Sequence, residues 1–236
     1  MNAKRALLLF AAYAGTMLAV DVLIGVVVAM HYRQAGGGIE ELHAAMLLGS
    51  AFGIVVAGAC VFWLARRMLR GDPDGLRTVG WMRTTPRNQA LAAVAGLALG
   101  LFYAVVVTRL FPLGPKVQLG PVVVDAISGG GWKLYAWIVL ALFIAPPIEE
   151  FVFRGVLWTG FARSLGPIAA AIVVTALFVL MHVLESGRYP PALFAIATLG
   201  LACIGARVLT RSLAAPIAMH MAYNAVIATG TLREFG

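Results

Sequence analysis

Apolar runs of roughly 20 residues, the length an α-helix needs to cross the hydrocarbon of a bilayer, recur along this chain. They fall at about 6–30, 43–65, 89–110, 134–161, 166–185, 191–209 and 213–230. Hydrocarbon supplies no water to the peptide groups, so only helices, which pair N–H and C=O internally, or closed barrels span it. Unbroken runs of this length read as helices rather than strands. The predicted fold is therefore all-α, a polytopic integral membrane bundle of about seven helices forming one domain over 1–236. Three N-terminal helices occupy 1–110, and the helices that carry polar side chains occupy 134–230. With 61% hydrophobic and 12% charged residues and a mean hydropathy of +0.92, the chain has too little polar surface for a soluble globule. The first apolar stretch, Ala6 to Met30, is too long for a cleavable signal and lacks a clean small-residue cleavage site, so it is read as a membrane helix.

The net charge of +8 is concentrated in loops beside the apolar runs, where lysine and arginine set orientation in the membrane. Nucleic acid is therefore not an expected partner; the bilayer is. Lys4 and Arg5 precede the first run, and Arg66, Arg67, Arg70, Arg77, Arg83 and Arg87 follow the second, whereas the first loop has Arg33 beside Glu40 and Glu41. This asymmetry predicts a cell-membrane protein with a cytoplasmic N-terminus. Seven crossings also put Arg163, Arg207 and Arg211 inside and the C-terminus outside. If the chain reverses at Pro146-Pro147, there are eight segments and the later assignment inverts. Cys60 and Cys203, both in apolar runs, are expected as small core residues rather than a disulfide. Gly49 and Gly53, and likewise Gly96 and Gly100, sit four apart on one helix face, where backbones can approach closely. The Gly- and Pro-rich stretch from Phe111 to Trp132, with Val122 to Val124 inside it, is expected to lie partly on the membrane surface.

Three clusters of polar groups interrupt the C-terminal runs. The first is Pro146-Pro147-Ile148-Glu149-Glu150-Phe151-Val152-Phe153-Arg154. Ionisable groups at membrane depth are expensive and normally face a polar cavity, and the prolines free carbonyls that need protein or water nearby. Glu150 and Arg154, four apart, are neighbours on one face and can form an ion pair. Glu149 lies about 100° around the helix and is free to point elsewhere. The second cluster is Phe178-x-x-x-His182 and the third His220-x-x-x-Asn224, each one turn apart. Together they compose a hydrolytic site: Glu149 as general base, helped by His182, deprotonates a water, while His220 and Asn224 donate hydrogen bonds to the developing oxyanion. Neither cysteine has a neighbouring base, and no Gly-x-Ser-x-Gly elbow is present.

The order EExxxR, FxxxH and HxxxN on successive apolar helices resembles the CPBP family of intramembrane glutamic endopeptidases. That family includes the type II CAAX prenyl endopeptidase and bacterial bacteriocin-processing or immunity proteins. The resemblance covers about residues 134 to 230. It implies a metal-independent peptide hydrolase without a cofactor, in which Glu149 and His182 activate water. It also implies that His220 and Asn224 form the oxyanion site, and that Glu150 and Arg154, with Phe178, support them. The substrate would be a membrane-associated peptide or a lipidated protein. The eighth helix of some relatives is expected to be absent. Two other readings stay open at this point. Glu149, His182 and His220 could hold zinc with one open position, although no HExxH pair exists. Intramembrane Glu and His also occur in proton-coupled transporters or non-cutting scaffolds, and Asp21 in the first run fits that idea.

Overall fold

The computed structural model describes residues 1–35, 38–112, 121–186 and 189–235. Its described residues are helical, with no strand among them. The long elements are α1 (Ala3–Ala35), α2 (Ile39–Met68), α3 (Pro86–Leu110), α4 (Pro121–Gly129), α5 (Gly131–Leu165), α6 (Pro167–Ser186), α7 (Pro190–Thr210) and α8 (Ala214–Phe235). Local chemistry explains several of their ends. Thr85 accepts a hydrogen bond from the Asn88 N–H at 3.2 Å and Pro86 follows it, the usual start of a helix. Arg211 closes α7 in the left-handed region, with φ of 57°.

Five of these helices, α1, α2, α3, α5 and α7, are long and apolar enough to cross a membrane, whereas α6 contributes a shorter apolar stretch, Pro167–Val183. The expectation of about seven crossings is met in full by length and apolarity only at those five. The physical reason is visible in α8, which carries His220, Asn224, Thr229 and Thr231 and is sheltered by protein rather than by lipid. Around the bundle, large apolar side chains such as Leu18, Leu23, Leu97, Ile168 and Leu209 are exposed, as a lipid-facing belt requires.

The prolines do not reverse the chain. Helix α5 runs continuously through Pro146-Pro147, and it does so by widening its turns. Ala145 N–H bonds to the Leu140 carbonyl, five residues back, and a second wide-turned stretch spans Phe151–Leu157. Such π-turns within α-helices are uncommon and occur frequently at functional sites.

Helices α3 and α8 pack most intimately, and two glycines allow it. A methyl group on Gly96 would collide with the Met219 carbonyl, and one on Gly100 would lie 2.9 Å from Val226 Cβ. In the Gly49–Gly53 pair, a methyl on Gly49 would meet Ile24 Cδ1 at 2.7 Å, so both spacings serve helix contacts. The described part of the stretch from Phe111 to Trp132 forms the short helix α4. It buries Ala126 and Ile127 against the bundle, and its Asp125 binds Lys133 at 3.1 Å. Cys60 and Cys203 are free thiols.

The basic loops meet on one side of the bundle. Ala3 N–H donates to Ser164 Oγ at 3.1 Å, Leu213 N–H donates to the Gly80 carbonyl at 2.8 Å, and Ser212 Oγ donates to the Met82 carbonyl. Within this cap the Asp72 carboxyl is held below the usual carboxylate range by the Asp74 N–H and the Thr78 hydroxyl. Ser212 and Leu213 are fully enclosed, so the α7–α8 turn is sunk beneath the 75–85 loop.

Gly96→Ala should lower stability by ~1–3 kcal/mol, because the extra methyl meets backbone that cannot step aside. Gly15→Ala, where a methyl meets nothing within 4 Å, should be neutral or mildly stabilising. Thermal unfolding of the two purified variants in one detergent compares them directly.

Candidate active site

The centre of the site is a charged cluster sealed inside the bundle. Glu150 and Arg154 are both fully buried, and Arg154 Nη1 donates to Glu150 Oε1 at 2.9 Å. Wider turns bring residues four apart more nearly into line than an α-helix does, so the π-turn beginning at Phe151 favours this pairing. Arg154 Nη2 donates to the Gly200 carbonyl at 3.1 Å. Its guanidinium also lies over the Phe178 ring, 4.3 Å from the centroid, a favourable cation–π contact when shielded from water. Gly200 permits the approach, since a methyl there would stand 3.3 Å from Arg154 Nη2.

His220 joins the two carboxylates. Its Nδ1–H donates to Glu150 Oε1 at 2.9 Å, which leaves Nε2 facing Glu149 Oε2 at 3.8 Å. Glu149, unlike Glu150, lines a cavity of about 630 Å³ together with His182, His220 and Asn224. The pair of glutamates is thus unequal, as their positions around the helix suggested.

His182 is oriented by its own helix. Its Nδ1 lies 2.8 Å from the Phe178 carbonyl. A carbonyl can only accept, so Nδ1 carries the proton and the neutral ring keeps Nε2 as an acceptor. The imidazole meets the Phe178 ring edge to face at 4.7 Å, and Phe178 in turn contacts Phe153 at 5.0 Å and His220 at 5.9 Å. Phe178 is therefore the shared wall between the guanidinium and both histidines.

Asn224 solves a problem created by the prolines. In α5, Ala145 N–H has moved to Leu140, and Pro146 has no N–H to offer the Ala141 carbonyl five residues earlier. Asn224 Nδ2 donates to that carbonyl at 2.8 Å. The amide keeps a second N–H on a residue that lines the cavity.

The structure thus links Glu149 through His220 to Glu150, Arg154 and Phe178, and sets His182 and Asn224 on the same cavity as Glu149 and His220. Counted from the helix ends at 1.5 Å per residue, Glu149, His182 and His220 fall at depths that differ by more than about 10 Å. The sunken α7–α8 turn starts α8 deeper than a surface loop would, and so lowers His220 to the glutamates. Among the described residues, no group of three or more His, Cys, Asp or Glu side chains is arranged to hold a metal ion. Asp21 stands at the α1–α2 seam, near Gly53, and is not among the cavity residues. The Ala141 and Gly200 carbonyls belong to the site but escape a reading of side chains. The proline pair was the available signal for the first, and a glycine in a membrane helix was only a faint one for the second.

One comparison with known proteins gives a match. The family model described as Type II CAAX prenyl endopeptidase Rce1-like matches residues 131–226, the segment that holds all three motifs. No curated protein and no solved structure matches the chain.

Arg154→Ala, which strands Glu150 in the interior, should cost ~3–5 kcal/mol. A Glu150→Gln/Arg154→Met double variant should lose less, and chemical denaturation would rank the two. Asn224→Ala, which orphans the Ala141 carbonyl, should cost ~1–3 kcal/mol by the same assay.

Proposed function

Because residues 131–226 match the type II CAAX prenyl endopeptidase Rce1-like family, we propose that the protein is an intramembrane endopeptidase of the cell membrane. Glu149 is its general base, and the substrate is a membrane-associated peptide or lipidated protein. The observation that carries this reading is the unequal glutamate pair: Glu150 is enclosed with Arg154, while Glu149 faces both His220 Nε2 and the cavity. A general base must reach its water, and only Glu149 does.

In the proposed reaction, a water held between Glu149 and His182 Nε2 attacks the scissile carbonyl carbon. Its proton passes to Glu149, and the carbonyl π electrons move onto oxygen. The free N–H of Asn224 donates to that oxyanion, and His220 joins it when Nε2 carries a proton; such donors stabilise charge only as it develops. The C–N bond then breaks, and Glu149 returns the proton to the leaving amine. Glu150 and Arg154 touch no reacting atom. They orient His220, fixing which nitrogen faces the cavity. The chemistry draws on no metal or cofactor.

The orientation that accompanies this reading places the N-terminus and the basic cap in the cytoplasm. Helices α6 and α8 complete a seven-pass bundle, and α1 to α3 frame the catalytic helices. A proton-coupled transporter would be expected to repeat its broken helix in a second half. The wide-turned, proline-containing stretch of α5 has no such counterpart among the described residues carrying Glu and His.

Glu149→Gln should reduce peptide cleavage about a hundredfold or more, the scale of a lost general base, while the variant remains folded. Membrane fractions from cells carrying wild type or Glu149→Gln, compared by proteomics, should show uncut precursors only in the latter. Cleavage by Glu149→Gln at the normal rate would refute the assignment.

A further inference from the structure

We propose that Arg207 is the centre of an anion site at the capped end of the bundle, and that its occupant is the phosphate of an anionic phospholipid. No residue of this site lines the cavity, so it stands whether or not the chain cuts peptide.

Arg207 belongs to the last turn of α7 and is only 8% exposed. Its guanidinium lies flat against the cap loop. A Cβ on Gly80 would stand 2.4 Å from Arg207 Nε and 2.5 Å from Cζ. Gly80 also has φ of 82°, so the residue type that suits this backbone is the one that leaves room for the guanidinium. The loop is tied down beside it. The Gly80 carbonyl accepts from the Met82 and Leu213 N–H groups, each at 2.8 Å, and the Met82 carbonyl accepts from Ser212 Oγ.

These bonds commit the carbonyls that could have served the arginine. An arginine near a helix C-terminus commonly bonds the last carbonyls of its own helix, but the Ala206 carbonyl takes the Thr210 hydroxyl at 2.7 Å. Arg207 Nε is buried with no hydrogen-bond partner among the described residues. No carboxylate among them pairs with its guanidinium, and Asp72 of the same cap is engaged by the Asp74 N–H at 3.0 Å. The contrast with Arg154 is sharp, since that guanidinium has a carboxylate, a carbonyl and an aromatic ring. A guanidinium carries five donors and keeps its charge, and an enclosed charge left unpaired is strongly destabilising. Arg207 therefore calls for negative charge and several acceptor oxygens together. A phosphate supplies both, in the geometry that a guanidinium fork matches.

The surroundings choose a lipid over a free ion. Leu209, two residues on along this membrane-crossing helix, is 86% exposed, and Val208, Trp81 and Met82 are exposed as well. Apolar side chains so placed at the end of a membrane helix are covered by acyl chains, and a tryptophan there suits the headgroup boundary. Arg83 and Arg211, exposed on the same loop and turn, add positive charge at that level. Basic pockets between membrane helices hold anionic headgroups in this way. A phospholipid meets both the charge and the apolar rim, whereas inorganic phosphate meets the charge alone.

The test extracts full-length protein from bilayers of equal phosphatidylglycerol and phosphatidylcholine and reads retained lipid by native mass spectrometry. Wild type should retain phosphatidylglycerol about tenfold or more over phosphatidylcholine, the scale of hydrogen bonds to a charged group. Arg207→Met should lose that preference, and Arg207→Lys, which keeps the charge without the fork, should show a reduced one. Arg70→Gln, an exposed charge elsewhere on the cap, should keep it in full. Thermal unfolding in neutral detergent separates the sources. Added phosphatidylglycerol should raise the midpoint of wild type and not that of Arg207→Met, and inorganic phosphate at the same concentration should raise neither. Without added lipid, Arg207→Met should be at least as stable as wild type, because an unpaired enclosed charge has gone. Equal retention of the two lipids by wild type overturns the site, and so does an undiminished preference in Arg207→Met or, if that variant does not fold, in Arg207→Lys. An equal rise with inorganic phosphate overturns the assignment to a lipid.

Discussion

The buried ion pair between Glu150 and Arg154 organises this molecule, because two full charges at that depth must have every partner supplied by protein. Their mutual attraction does not by itself repay desolvation. The remaining partners are recruited from three other helices: the Gly200 carbonyl from α7, the Phe178 ring from α6 and His220 Nδ1 from α8. Each recruitment fixes a helix. The arrangement of α6, α7 and α8 around α5 can thus be read as the set of positions that partners Glu150 Oε1 and both terminal nitrogens of Arg154, while Glu150 Oε2 and Arg154 Nε are buried with no hydrogen-bond partner among the described residues.

That requirement has a chemical consequence. A histidine whose Nδ1–H is committed to Glu150 can present only Nε2 to the cavity, and it presents it to Glu149. The tautomer is set by a residue that never meets substrate. The π-turns of α5 and the Asn224 amide play a similar supporting part. They let two prolines stand in a continuous helix with the freed Ala141 carbonyl paired, and the prolines keep the polypeptide wide where the carboxylates emerge.

Much of this was legible in the residues. Apolar runs separated by basic loops read as an all-helical membrane bundle, and the spacing of Glu150 and Arg154 read as a pair, because helical periodicity is a local property. The three motifs named a family, and the match over 131–226 agrees. Less legible was the number of membrane-crossing helices. The polarity of α8 is compensated by α3 packing against it across Gly96 and Gly100, and hydropathy along one chain does not register a neighbour. The His220–Glu149 proximity was likewise obscured, since counting residues from helix ends assumes that turns lie at the membrane surface. Ser212 and Leu213 do not.

Sequence alone therefore determined the kind of solvent this chain inhabits, the helical character of its segments, and which polar side chains are too costly to be incidental. These follow from transfer energies and periodicities that each segment carries by itself. Only the tertiary structure decided which nitrogen of His220 faces which glutamate and which carbonyl Asn224 serves. Those depend on contacts between residues dozens of positions apart, whose depth is set by a turn buried under another loop.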